Sequence, residues 1–125
     1  MVLQRLLDSV ILIDHFNDIP QATEFILALD PEGVAISVIS RAEILVGLDN
    51  SVIEKAKSLL DHYTLLIIDK AIADKAAELR KRYGWKLPDA FQAALAVHHH
   101  IQLSTRDTED FDPATHSFVE IPYEI

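Results

Sequence analysis

Leu87-Pro88-Asp89-Ala90-Phe91-Gln92-Ala93-Ala94-Leu95-Ala96-Val97 reads as a helix, and Ile101-Gln102-Leu103-Ser104-Thr105 reads as the strand that follows it. Pro88 suits a helix start, where a missing N–H costs nothing. The run Ala90 to Val97 is apolar nearly all round, so this helix is buried on several sides. A helix covered that way packs against a sheet and against other helices. Working outward, the same alternation recurs. Ile72, Ala76, Leu79 and Tyr83 form a helical stripe that Gly84 is placed to end. Thr64 to Ile68 is a β-branched strand, and Val34 to Ile39 is β-branched and apolar, hence a buried strand. Val52, Ala56, Leu59 and Tyr63 share one helical stripe, Ser40 to Leu48 is a helix, and Asp30-Pro31-Glu32-Gly33 is a turn. Ala22, Phe25, Ile26 and Leu29 recur at helical spacing after Pro20. Val2 to Asp8 is a strand running into a short helix, Val10 to Phe16, and Phe118 to Ile121 is a last strand. Strands alternating with helices predict an α/β fold with a mainly parallel central sheet and helices on both faces.

The chain has 125 residues and no cysteine, which predicts a single domain over 1–125 and excludes a disulfide framework or a thiolate metal site. Charged residues interrupt every apolar run, so no stretch reaches the roughly 20 residues of a membrane span. The first residues read as a strand rather than a leader, and the expected setting is soluble and cytoplasmic. The formal net charge is −9. A protein that bound nucleic acid by charge alone would be basic. Either the acids serve solubility, or some of them converge and demand cations.

Five acids fall where convergence is expected. Asp8 follows the first strand, Glu43 lies in the first turn after Val34 to Ile39, Asp89 follows Pro88, and Asp107 and Asp110 follow Ile101 to Thr105. In open α/β sheets, ligands bind at the carboxyl edge of the strands. Carboxylates crowded there repel one another and lose hydration, which raises their pKa values. A hard divalent cation relieves both, and Mg2+ or Mn2+ suits an all-carboxylate set. Each acid also has a plainer reading. Ser40-Arg41-Ala42-Glu43 has the pattern of a capping box. Asp89 complements a helix dipole. Asp107 and Asp110 suit turns, where Asp bonds its own backbone. Asp8, flanked by Leu7 and by Ser9-Val10-Ile11, is the hardest to place on a solvated surface.

Four segments carry a resemblance. Leu7-Asp8-Ser9-Val10-Ile11-Leu12-Ile13-Asp14, Ile39 to Leu48, Leu87 to Ala94, and Leu103-Ser104-Thr105-Arg106-Asp107-Thr108-Glu109-Asp110-Phe111 resemble, in order, the four motifs of PIN domains. The resemblance implies the PIN fold and an endoribonuclease dependent on magnesium or manganese. It implies that Asp8, Glu43, Asp89 and Asp107 form an acidic quartet, with Asp110 as a fifth acid or a substitute for Asp107. Ser9 and Thr105 stand where the family often has a supporting hydroxyl. Compact members of the family are often VapC-type toxins, which form homodimers and are blocked by a small antitoxin. Metal-activated water would then cut RNA to leave a 3′-hydroxyl and a 5′-phosphate. Arg41 and Arg106 flank motif acids and either pair with them or touch phosphate. The polar pair Gln4-Arg5 departs from the apolar first strand of many relatives.

His98-His99-His100 is discounted as a metal site, because consecutive helix residues point in different directions. Trp85, Phe91 and Tyr83 are assigned to core or interface, and Asp61 and Asp69 to solvent or turns. One rival is a phospho-acceptor receiver domain, but Asp8-Ser9 gives no acidic pair and Thr105-Arg106-Asp107 gives no lysine. Another is a PIN fold that only binds a partner and is catalytically silent. No Gly-x-Ser-x-Gly elbow supports a serine nucleophile.

Overall fold

The structure, a computed structural model, describes residues 2–125. Its elements follow as β1 (Arg5–Leu7), α1 (Ser9–Phe16), α2 (Pro20–Leu27), β2 (Val34–Ser37), α3 (Val38–Gly47), α4 (Ile53–Leu60), β3 (Thr64–Leu66), α5 (Lys70–Tyr83), α6 (Leu87–His99), β4 (Gln102–Ser104) and β5 (Val119–Glu120), with short 3-10 turns before β2 and α4. The strands form one sheet in the order β3-β2-β1-β4-β5. Every pairing is parallel. The fold is the expected α/β sandwich.

Side chains alternate across a strand, and the two cores follow that alternation. Leu6, Ala35 and Leu103 face α5 and α6, where Ile72, Ala76, Ala90 and Ala93 to Ala96 are buried. Leu7, Val34 and Ile36 face the other way, onto Ile11, Leu12, Ile26, Ile44 and Leu60 of α1 to α4. The alanines of α6 let that helix lie close over β1 and β4. This is the physical basis of its continuous apolar run.

β1 is the centre of the sheet, with β2 on one side and β4 on the other. The chain therefore changes direction of travel at β1, and a crevice opens at the carboxyl ends of β1 and β4. Asp8 directly follows the first of these strands, and Thr105 to Asp107 follow the second.

Several boundaries differ from the sequence reading. The second strand stops at Ser37, not Ile39, because Ser37 is the N-cap of α3 and its Oγ accepts from the Ser40 N–H at 3.0 Å. The Ser40/Glu43 capping box is therefore not formed, and Glu43 lies in the second turn of α3, not the first. The first strand is three residues long, and Asp8 leaves it to cap α1. Asp69, assigned to solvent or a turn, caps α5 by accepting from the Ile72 N–H. Tyr83 is 40% exposed rather than core, while Trp85 is buried. Gly84 ends α5 with a φ of 75°, as its placement predicted, and α6 ends on His100 with a φ of 56°. The polar Arg5 of β1 has a partner: its Nη1 donates to both carboxylate oxygens of Glu120 on β5, at 2.6 and 2.9 Å.

Candidate metal centre

Asp8 sits at the floor of the crevice, 8% exposed. Three neutral donors converge on its carboxylate. The Ser9 N–H reaches Oδ1 at 2.9 Å, Gln92 Nε2 lies 3.4 Å from the same oxygen, and the Thr105 hydroxyl donates to Oδ2 at 2.8 Å. These bonds favour the charged form, yet burial outweighs them and pushes the Asp8 carboxyl up. Thr105 is itself held, because its Oγ1 accepts from the Asp107 N–H at 3.1 Å. One hydroxyl thus ties the acid after β1 to the acid after β4. Gln92 stands inside the apolar run of α6 and donates to Ser40 Oγ at 2.7 Å. Its Oε1 is buried with no partner among the described residues.

Above this floor, Asp89, Asp107 and Asp110 each offer a carboxylate oxygen, all within 4.8 Å of one another. The backbone aims them. Asp89 is in the first turn of α6, and Pro88 in that turn fixes the chain's entry. Asp107 Oδ1 accepts from the N–H groups of Glu109 and Asp110, at 3.1 and 3.2 Å, which curls the loop so that Asp110 returns to the cluster. The turn-forming reading of Asp107 and the cluster reading hold together. Burial, then repulsion from Asp8, Asp107, Asp110 and Glu43, pushes Asp89 up to about 6. Asp110 is raised as well, by desolvation and then by Asp107 and Glu109.

Asp8, Glu43, Asp89, Asp107 and Glu109 line one cavity of about 440 Å³, with Arg106 the one lining cation among the described residues. Arg106 is engaged. Its Nε and Nη2 donate to the two oxygens of Asp14 at 2.6 and 2.9 Å, and the Tyr123 hydroxyl donates to Asp14 Oδ2 at 2.8 Å. Arg41 lies outside the cavity lining and pairs with Asp61 at 3.0 Å. Ser9 lines the cavity and supports Asp8 through its backbone rather than its hydroxyl. Glu43 is on the rim and exposed. The structure brings Asp89, Asp107 and Asp110 into the tight group, with Asp8 beside it.

The donor set fits a hard cation. It is all carboxylate oxygen, it contains no thiolate or imidazole, and neighbouring carboxylates help to raise the pKa values of Asp89 and Asp110. Among the described residues, the histidines at the end of α6 join no group of metal-binding side chains.

Sequence reading missed three members of the site. Asp14 and Tyr123 hold Arg106, and Gln92 holds Asp8. Asp14 and Gln92 each carry one signal: a single polar residue at a core position of a helix, after Val10 to Ile13 and within Ala90 to Val97. Tyr123 carries none, since its contact depends on where the chain runs after β5.

The PIN domain family profile matches residues 5–115. The chain belongs to the PIN-domain family. The PIN fold is shared across long distances in sequence. A toxin–antitoxin complex from Klebsiella pneumoniae contains a chain with 35% identity and a TM-score of 0.88, covering 98% of this chain and 100% of that one. FitAcB from Neisseria gonorrhoeae gives 24% identity and a TM-score of 0.79, covering 98% and 100%. DNA-bound VapBC from Salmonella typhimurium gives 18% identity and a TM-score of 0.75, covering 89% and 92%. A search of curated proteins by sequence finds no match. No helix among the described residues is long and apolar enough to cross a membrane.

Proposed function

We propose that this PIN domain is an endoribonuclease dependent on Mg2+ or Mn2+, and the toxin of a toxin–antitoxin pair. The observation that carries the reading is the set of three carboxylate oxygens, from Asp89, Asp107 and Asp110, within 4.8 Å at the carboxyl edge of a parallel sheet. Asp89, Asp107 and Asp110 hold the ion, and Asp8 faces them from a position fixed by Thr105, Gln92 and the Ser9 N–H. Glu43, which lines the same cavity, completes the quartet with Asp8, Asp89 and Asp107. When bound, the ion supplies a Lewis acid that makes water a nucleophile at neutral pH and neutralises phosphodiester oxygens. The chain's own part is to hold the acids pointed at one spot, where burial and mutual repulsion make a cation favourable. It also keeps Arg106 on Asp14, so that no cation of the lining collapses onto the cluster. Arg106 keeps Nη1, and Arg41 keeps Nε and Nη2, outside those pairs, so either can touch phosphate with its remaining donors.

The antitoxin is supported by the complex containing the 35% identical chain, which is a toxin–antitoxin assembly. A homodimer acting in the cytoplasm, blocked by a small antitoxin, completes the reading. The test is cleavage of a structured RNA pool by protein purified free of partner, with Mn2+, Mg2+ or EDTA, beside Asp8→Asn and Asp89→Asn. Metal-dependent cutting that both variants lose is the expected result. Cutting that survives both changes sinks the reading. A folded protein that binds Mn2+ and cuts nothing shifts the function to partner binding alone.

A further inference from the structure

Arg80-Lys81-Arg82-Tyr83-Gly84-Trp85-Lys86 carries four of the eleven Lys and Arg residues in a chain of formal charge −9. No acid falls between Glu78 and Asp89. The segment is the end of α5, the Gly84 turn and the N-cap of α6. Three of the four cations have an ordinary explanation, because basic residues in a last helical turn complement the dipole. Lys86 does not. It caps the N-terminus of α6, where a side-chain acceptor or an anion is favoured, and it makes no side-chain capping bond. A cation at the positive end of a helix is a local cost, set here against the attraction between Lys86 and the nearby Asp110 carboxylate.

All four cations are exposed, and none forms an ion pair among the described residues. Arg80 gives Nη1 to the Trp85 carbonyl at 2.6 Å, which closes the turn. Arg82 lies over the Tyr83 ring at 5.3 Å, and that ring stacks on Trp85 at 4.6 Å. The turn is also fastened to the acidic loop. Trp85 Nε1 donates to the Asp110 carbonyl at 3.0 Å, its ring packs on Phe111, and Lys86 precedes Asp89 by three residues. A rigid positive ridge therefore borders the acidic cavity.

We propose that the 80–86 turn is the backbone track for the RNA, with Lys81, Arg82 and Lys86 contacting phosphates that flank the one entering the cavity. The proposal rests on the ribonuclease reading and supplies what that reading lacks, a way for an acidic protein to hold a polyanion. Phosphate contacts fix register and orientation without reading sequence. The ridge therefore governs affinity and leaves target choice to other surfaces.

The test compares the parent protein with the triple variant Lys81→Ser/Arg82→Ser/Lys86→Ser, and with Lys70→Ser at the other end of α5 as control. Fluorescently labelled bulk transfer RNA is the probe, followed by anisotropy across salt concentrations. The triple variant is expected to bind at least about tenfold more weakly at roughly 0.1 M salt, and its slope of log K against log salt to be shallower by roughly 2. Lys70→Ser matches the parent. In cleavage, the triple variant raises KM and leaves kcat in place, while its melting temperature matches the parent and its Mn2+ affinity is no weaker. Affinity and salt slope unchanged in a triple variant that still folds overturn the track, assign the ridge to a partner protein, and leave the nuclease standing. A parent that neither binds nor cuts RNA overturns the nuclease reading, and the track falls with it.

Discussion

Asp8 and Asp14 stand at the two ends of α1, both buried, and their environments push them in opposite directions. Asp14 is bound by the Arg106 guanidinium and the Tyr123 hydroxyl, and those bonds hold its carboxyl below the usual range. Asp8 receives only neutral donors and faces other acids, so burial raises it. The same residue type, six positions apart, becomes a structural tie in one place and a neighbour of an acidic cluster in the other. Burial alone does not mark a functional acid. The charge of its partners does, because a paired carboxylate is finished, whereas a cluster of unpaired ones still calls for a cation.

The sharpest way to break that contrast is to neutralise one acid of each kind. Asp89→Asn removes a member of the cluster and is expected to lower Mn2+ affinity by two orders of magnitude or so, read by calorimetry. It should also raise the melting temperature of the metal-free protein by a few degrees, since it removes repulsion. Asp14→Asn is expected to do the reverse. It leaves Arg106 and Tyr123 without their anion, costing about 2 kcal/mol in denaturant unfolding, with Mn2+ affinity within a few-fold of the parent. A metal-site loss in Asp14→Asn as large as that in Asp89→Asn would erase the distinction between the two acids.

The same contrast explains what the sequence made legible. The sheet, its parallel sense and its helices follow from periodicities that belong to single segments, such as the apolar run of α6 and the β-branched Val34 to Ile36. Asp8, Asp89 and Asp107 were legible because each follows a strand or opens a helix, and topology then brings such positions together. Strand and helix ends were less legible where two caps compete. Ser37 and Ser40 both suit an N-cap, and the backbone chose the earlier one, which moved Glu43 into the second turn. The Arg106–Asp14–Tyr123 tie was beyond reach because it joins residues up to 109 positions apart. No local pattern says which acid a given arginine will find.

A smaller effect separates the donors on Asp8. Thr105→Val keeps the shape and removes the hydroxyl that links Asp8 to the Asp107 N–H. Weaker Mn2+ binding by about tenfold is expected, with little change in melting temperature beyond that of a single lost hydrogen bond. Full Mn2+ affinity in Thr105→Val would mean that the remaining donors on Asp8 suffice to hold it.

The finest test uses pH on metal-free protein. Asp14 has a folded pKa below its ordinary value of 3.8, so its stabilising contribution is complete above that value and is lost only as pH falls through the lower folded one. Asp89 has a folded pKa of about 6, so the folded state holds its proton more tightly than the unfolded chain does. Stability from Asp89 therefore falls as pH rises from 3.8 to about 6 and is level above that. The difference in melting temperature between the parent and Asp14→Asn should stay constant from about pH 5 to 8. The difference between the parent and Asp89→Asn should widen from about pH 4 to 6 and then hold. Saturating Mn2+ should abolish that widening at neutral pH, because the ion takes the place of the proton among the carboxylates. Two flat differences would mean that Asp89 is solvated well enough to ionise normally, and the repulsion on which the proposed metal site rests would be absent.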